Sequence, residues 1–157
     1  MSSEGLGLRP MTPEEYAAHA QTSEENYAQE IFQSGTTDLE TARERSARTF
    51  AELLPDGLDS PRMHFWTAVV GDEPVGLGWV EVREGPATSA YIFDVEVREG
   101  HRGQGLGRQL MLALHEAAAA LGATSIGLNV FGHNTVARTR YESLGYTVPA
   151  QNMKVDL

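Results

Sequence analysis

Between Val97 and Arg108 the chain reads Val-Arg-Glu-Gly-His-Arg-Gly-Gln-Gly-Leu-Gly-Arg, and no other stretch narrows the fold as much. Ahead of it, Ala90 to Val97 is rich in β-branched and aromatic residues and predicts a strand. Behind it, Leu110, Leu114, Ala117, Ala118 and Leu121 recur at helical spacing, so Gly107 to Leu121 predicts a helix that Gly122 stops. A strand therefore enters a glycine-rich turn and a helix leaves it. Such a turn gathers backbone N–H groups at one spot, and the helix start adds its partial positive charge. Gly103, Gly105 and Gly107 let a ligand come close to the main chain, and Arg102 and Arg108 add charge, so a phosphate or pyrophosphate is the natural guest. A P-loop is excluded because no Gly-Lys-Ser/Thr follows. A dinucleotide fingerprint is excluded because the spacing is Gly103-x-Gly105-x-Gly107 rather than Gly-x-Gly-x-x-Gly. The pattern that fits is Arg/Gln-x-x-Gly-x-Gly, met by Arg102, Gly105 and Gly107. Taken alone, that pattern also fits a tight turn without a ligand.

The rest of the chain supplies a regular order of elements. Leu6 to Arg9 predicts a short strand. Thr12-Pro13-Glu14-Glu15 combines a cap, a proline at the first helical position and a glutamate three residues after the cap, and starts a helix running towards Phe32 and Gly35. A second helix over Leu39 to Leu54 ends at Pro55-Asp56-Gly57. Phe65 to Val70 and Val75 to Val82 form a hairpin about the turn Gly71-Asp72-Glu73-Pro74. After the glycine loop and its helix, Ser125 to Val130 predicts a strand and Thr135 to Leu144 a helix ended by Gly145. Tyr146 to Val148 and Met153 to Val155 predict a last strand or strand pair. The expected class is α/β, a mixed sheet with helices on both faces. The length of 157 residues suits one domain, spanning 1–157.

Composition narrows the partners. The chain has no cysteine, which excludes disulfides, thiolate metal sites and a cysteine nucleophile. A formal charge of −10 and the lack of a Lys/Arg run argue against nucleic acid and suit a cationic partner such as an amine. No apolar run approaches the roughly 18 residues that span a bilayer, and the start Met1-Ser2-Ser3-Glu4 lacks signal-peptide character, so a cytoplasmic location without membrane association is expected. His19, His64, His101, His115 and His133 show no metal-site spacing, so no metal is expected. His133 reads as a loop histidine able to line a site, and Phe65, Trp66 and Trp79 read as core.

The last third contains Leu128-Asn129-Val130-Phe131-Gly132-His133-Asn134-Thr135-Val136-Ala137-Arg138-Thr139-Arg140-Tyr141-Glu142-Ser143-Leu144-Gly145-Tyr146. With the glycine loop, this segment resembles the GCN5-related N-acetyltransferase (GNAT) superfamily: a pyrophosphate loop, then a strand–loop–helix carrying Asn, Ala, Tyr and Gly-aromatic. The resemblance implies a GNAT-like fold, a mostly antiparallel twisted sheet of six to seven strands. It also implies transfer of an acetyl group from acetyl-coenzyme A to a primary amine by direct attack. Arg140 departs from the pattern, since an aliphatic residue is commoner there, and Met11–Pro61 agrees in architecture only.

By that resemblance, main-chain N–H groups of Gly103, Gln104, Gly105, Leu106, Gly107 and Arg108 hold the pyrophosphate with help from Arg102, and the pantetheine arm pairs with Val95 and Val97 where the sheet splays open. Asn134 matches a residue that bonds near the pantetheine, and equally suits a helix N-cap. The N–H of Val95 can face the thioester oxygen. Tyr141 matches the tyrosine that protonates the departing thiolate. Strand alternation places Ile92, Asp94 and Glu96 on one face and Tyr91, Phe93, Val95 and Val97 on the other. Asp94 and Glu96 can attract an ammonium group and remove its proton, or one of them can pair with an arginine for structure. Glu81 is a further candidate for the acceptor groove. The acceptor is a small-molecule amine or a protein amine, and a homodimer is open because many relatives pair. A non-catalytic module that senses acyl-coenzyme A, and a nucleotide-binding regulator, are the other readings.

Overall fold

A computed structural model of the chain describes residues 5–130 and 134–157. In chain order the elements are β1 (Leu6–Pro10), α1 (Pro13–Gln33), α2 (Leu39–Leu53), β2 (Met63–Val70), β3 (Glu73–Arg83), β4 (Ser89–Val97), α3 (Leu106–Ala120), β5 (Ser125–Leu128) and α4 (Thr135–Ser143). The strands lie side by side in the order β1-β2-β3-β4-β5. The first four run antiparallel, and β5 is parallel to β4.

Local chemistry sets the helix ends. The Glu15 N–H donates to Thr12 Oγ1 at 3.2 Å while the Thr12 N–H donates to Glu15 Oε1 at 2.9 Å, closing a reciprocal cap at the start of α1. Asp38 caps α2 by accepting from the Thr41 N–H at 2.7 Å. The Ser46 hydroxyl, buried, donates to Glu24 O at 2.6 Å and ties α2 to α1.

The sheet divides two apolar layers. On one face Val75, Val80, Val82 and Ile92 pack with Leu110, Met111 and Leu114 of α3. On the other, Phe65 and Trp79 pack with Met11, Leu54, Tyr16 and Phe50, which belong to or flank α1 and α2. Helices thus cover both faces, as the sequence predicts. Gly78 permits the close seat of α3, because a Cβ there would lie 2.6 Å from Leu114 Cδ2.

Two expectations change. The sheet has five strands among the described residues rather than six to seven. Tyr146 to Val148 and Met153 to Val155 form no strand, and Met153 and Val155 stand largely exposed. A strand needs a ladder for its backbone groups, and among the described residues this tail pairs with none. The second change is in β4. Trp79 pairs with Asp94, but the next residue, Val80, pairs with Ile92, so Phe93 is an extra residue in β4. The bulge breaks the strict alternation. Ile92, Val95 and Val97 pack in the α3 layer, whereas Phe93 packs in the opposite layer and Asp94 reaches α1.

Candidate functional site

Pairing between β4 and β5 runs from Ser89↔Ser125 to Ile92↔Leu128 and no further. Among the described residues, Phe93 to Val97 therefore carry an open edge towards β5. The Arg98 N–H donates to Val75 O at 2.8 Å, towards β3. Successive residues of a strand turn their backbone groups to alternate sides, so Glu96 also faces β3 while Val95 and Val97 face the opening. Val97 O agrees with this, because it accepts from Arg102 Nε at 3.1 Å.

The open edge leads into the glycine loop. Gly103 and Gly105 hold φ of +80° and +77°, a region that L side chains disfavour. Gly105 caps α3 and has no side chain to satisfy the helix's first donors. The Gln109 N–H reaches Gly105 O at 3.4 Å, so the N–H groups of Leu106, Gly107 and Arg108 precede the helical ladder. Gln104 and Arg108 are exposed, while the Leu106 side chain lies in the core and only its main chain belongs to the loop. Arg102 folds back on β4, with its Nη2 3.8 Å from Glu96 Oε1. Another arginine lies against the start of α3 instead: a Cβ on Gly107 would lie 3.1 Å from Arg140 Nη1. Uncapped donors, an adjacent guanidinium and a free strand edge together fit a diphosphate bearing an extended amide arm.

Asn134 serves as the α4 cap, where its Oδ1 accepts from the Ala137 N–H at 3.2 Å. Phe131, Gly132 and His133 lie outside the described residues, so the reading of His133 does too. Tyr141 is half-buried beside the α3 layer, with its ring 5.8 Å from that of Tyr146. Burial pushes its phenol up, the Arg140 charge opposes this, and the Asp94 charge adds to it. The hydroxyl keeps its proton through neutral pH and lies within electrostatic reach of both charged groups. Tyr146 is engaged by His115, Oη to Nε2 at 2.6 Å, and burial raises its phenol to about 12.

On the other side of the opening, a cleft of about 460 Å³ runs between α1 and the ends of β3 and β4. Asp94 and Glu96 line it together, as the sequence predicts, although Ile92 does not share their face. Asp94 Oδ2 lies 2.9 Å from His19 Nε2 and 3.3 Å from Ser23 Oγ. Glu30, further along α1, is pushed up by burial and by the Asp94 charge. Glu81 is not in the cleft: it is buried and paired with Arg83 at 2.5 Å and Arg62 at 3.6 Å, a structural role. His19 and Ser23 are the cleft residues that the sequence reading missed. Their one signal is a polar pair at i, i+4 on α1. Among the described residues no group of three His, Asp or Glu side chains is placed to hold a metal ion, and no helix is long and apolar enough to cross a membrane.

A model of the acetyltransferase (GNAT) family matches residues 24–146. The chain belongs to the GNAT acetyltransferase family. Among its relatives, the uncharacterized N-acetyltransferase YycN of Bacillus subtilis is 34% identical over 142 residues, covering 88% of this chain and 90% of that protein. A second, the uncharacterized N-acetyltransferase YdgE of the same organism, is 32% identical over 153 residues, 96% of this chain and 97% of that protein. The crystal structure of YycN superposes with a TM-score of 0.88 over 97% of this chain and 98% of that one. GNAT membership supports acetyl transfer as the activity, and acetyl-coenzyme A is the co-substrate that GNAT proteins generally use.

Proposed function

We propose that this GNAT protein is an acetyl-coenzyme A-dependent N-acetyltransferase that moves an acetyl group to a primary amine by direct attack. The observation that carries the reading is the open edge of β4: it ends at the uncapped start of α3, with Tyr141 on one side and the Asp94–Glu96 cleft on the other. Acetyl-coenzyme A supplies an activated acetyl thioester and a thiol leaving group. The N–H groups from Gly103 to Arg108 hold its diphosphate, and Arg140 adds a charge that the glycine loop alone does not carry. Val95 and Val97 offer strand-type pairing to the extended arm, and the Val95 N–H faces the thioester oxygen as a single oxyanion donor. Asp94 and Glu96 attract the acceptor as an ammonium ion and take up its proton, directly or through water. Tyr141 donates its phenolic proton to the departing sulfur. Asn134 holds the start of α4 and so sets where Tyr141 stands, two turns later.

The acceptor is a small cationic amine or an amine of a protein. Thiol release from acetyl-coenzyme A over a panel of amines, with coenzyme A binding followed by calorimetry, tests the reading. Amine-dependent release is expected. Tight coenzyme binding without release on any amine would replace the enzyme with a sensor, and absence of binding would remove the coenzyme altogether.

A further inference from the structure

His19 is the most enclosed ionisable side chain of the cleft, with 5% of its side chain exposed. Its ring stands edge-on to Phe65 and Trp79, with centroids 6.2 and 6.0 Å away. Nε2 reaches Asp94 Oδ2 at 2.9 Å and Ser23 Oγ at 3.0 Å, and the Ser23 hydroxyl donates to the same Oδ2 at 3.3 Å. Nδ1 is buried and, among the described residues, has no hydrogen-bond partner. These contacts fix the tautomer. A carboxylate oxygen only accepts, so Nε2 carries the proton, and a bare lone pair at Nδ1 costs less than an unpaired buried N–H would.

Two donors from α1 converge on one oxygen of Asp94, and both come from side chains that need carry no positive charge. Among the described residues no Arg or Lys is paired with Asp94, whose side chain is 34% exposed in the cleft. Glu96 lies two residues on along the same face, with Arg102 no closer than 3.8 Å. Glu14 adds a further acid to the lining, and Glu15 is tied to Arg9. Among the described residues, Arg98 is the one arginine or lysine lining this cleft. One Asp94 oxygen is thus locked and the other is left for a ligand, in a cleft where the carboxylates Glu14, Glu15, Asp94 and Glu96 outnumber the one lining arginine, Arg98.

We propose that His19 and Ser23 are positioning residues that hold Asp94 as the seat of the acceptor's ammonium group, so that the cleft selects small, flexible amines presented as cations. This rests on the N-acetyltransferase reading for the amine's role as acceptor, but the cation site stands on its own geometry. A cavity of about 460 Å³ admits a short aliphatic diamine. Such an amine can set one charge on Asp94 and the other towards Glu96 or Glu14.

The test uses the full chain with 15N-labelled histidine. His19 signals are assigned with His19→Gln or, should that variant not fold, by replacing the other four histidines one at a time. The expected spectrum is that of an Nε2-protonated ring. Titration with 1,4-diaminobutane should shift the His19 signals to saturation, 1,4-butanediol should not, and Asp94→Asn should weaken the diamine response about ten-fold or more. An Nδ1-protonated ring, His19 signals unmoved by the diamine, or an equal response in Asp94→Asn would overturn the inference. Calorimetry with coenzyme A on the same sample separates the two readings. Coenzyme binding without a diamine response sinks the cation site alone, and the reverse sinks the coenzyme reading alone.

Discussion

Tyr141 and Arg140 are neighbours in sequence that face different tasks. Tyr141 holds its proton because burial disfavours the phenolate, so it suits a donor and not a base at neutral pH. Tyr141→Phe should lower kcat about 100-fold and leave the dissociation constant of coenzyme A nearly unchanged, since it removes a proton and little contact area. Steady-state rates beside calorimetry read that split. Arg140 is the position where the sequence departs from the usual pattern, and its guanidinium lies against the first turn of α3. Arg140→Ala should weaken coenzyme A about five- to ten-fold, with a smaller loss for pantetheine, which carries no phosphate, because the lost contact is a charge-assisted one. Equal losses for both ligands would place Arg140 away from the phosphates.

At the level of elements, α1 begins under tight local control. Arg9 Nη1 and Nη2 bond both oxygens of Glu15 at 2.8 and 3.0 Å, and with the cap at Thr12 they hold the Glu15 carboxyl at about 2. A carboxyl lowered by folding stabilises the native state fully above its ordinary value of 4.5, and that support is lost as pH falls towards 2. Glu15→Gln should therefore cost about 1 kcal/mol near neutral pH, once the screening of partly exposed Arg9 is counted, and the gap to the wild type should close on acidification. Urea melts at several pH values measure this. The cap of α1 was legible in Thr12-Pro13-Glu14-Glu15, as were the turn at Gly71-Asp72 and the glycine loop, because each depends on neighbours within a few residues. The bulge at Phe93 was not. Apolar side chains stand on both faces of β4, so the pattern alone does not say where an extra residue sits. His19 and Asp94 meet across 75 positions, and only the packing of α1 on the sheet brings them together. Met153 and Val155 alternate like a strand, but no ladder receives them.

For the whole molecule, the −10 charge and the arginines near the loop act on the two substrates differently. A cationic acceptor is drawn by the acidic cleft and by the net field alike. Raising salt from about 20 mM to about 200 mM should increase KM for a diamine about three-fold or more, as the Debye length contracts from about 20 Å to under 10 Å. An uncharged amine at high pH should show little change, and initial rates over a salt series make the comparison. The coenzyme meets local positive charge inside a negative surround, so its affinity should depend on salt less steeply.

The extra residue in β4 also bears on how the chain avoids folding errors. Suppose β4 paired with β3 in an unbroken ladder. Asp94 and Glu96 would then turn towards Leu110 and Leu114, and Val95 and Val97 would swing out to the wet groove. Two desolvated carboxylates without partners would make that alternative far less stable. The slipped hairpin is thus disfavoured by its own side chains wherever α3 covers that face of the sheet.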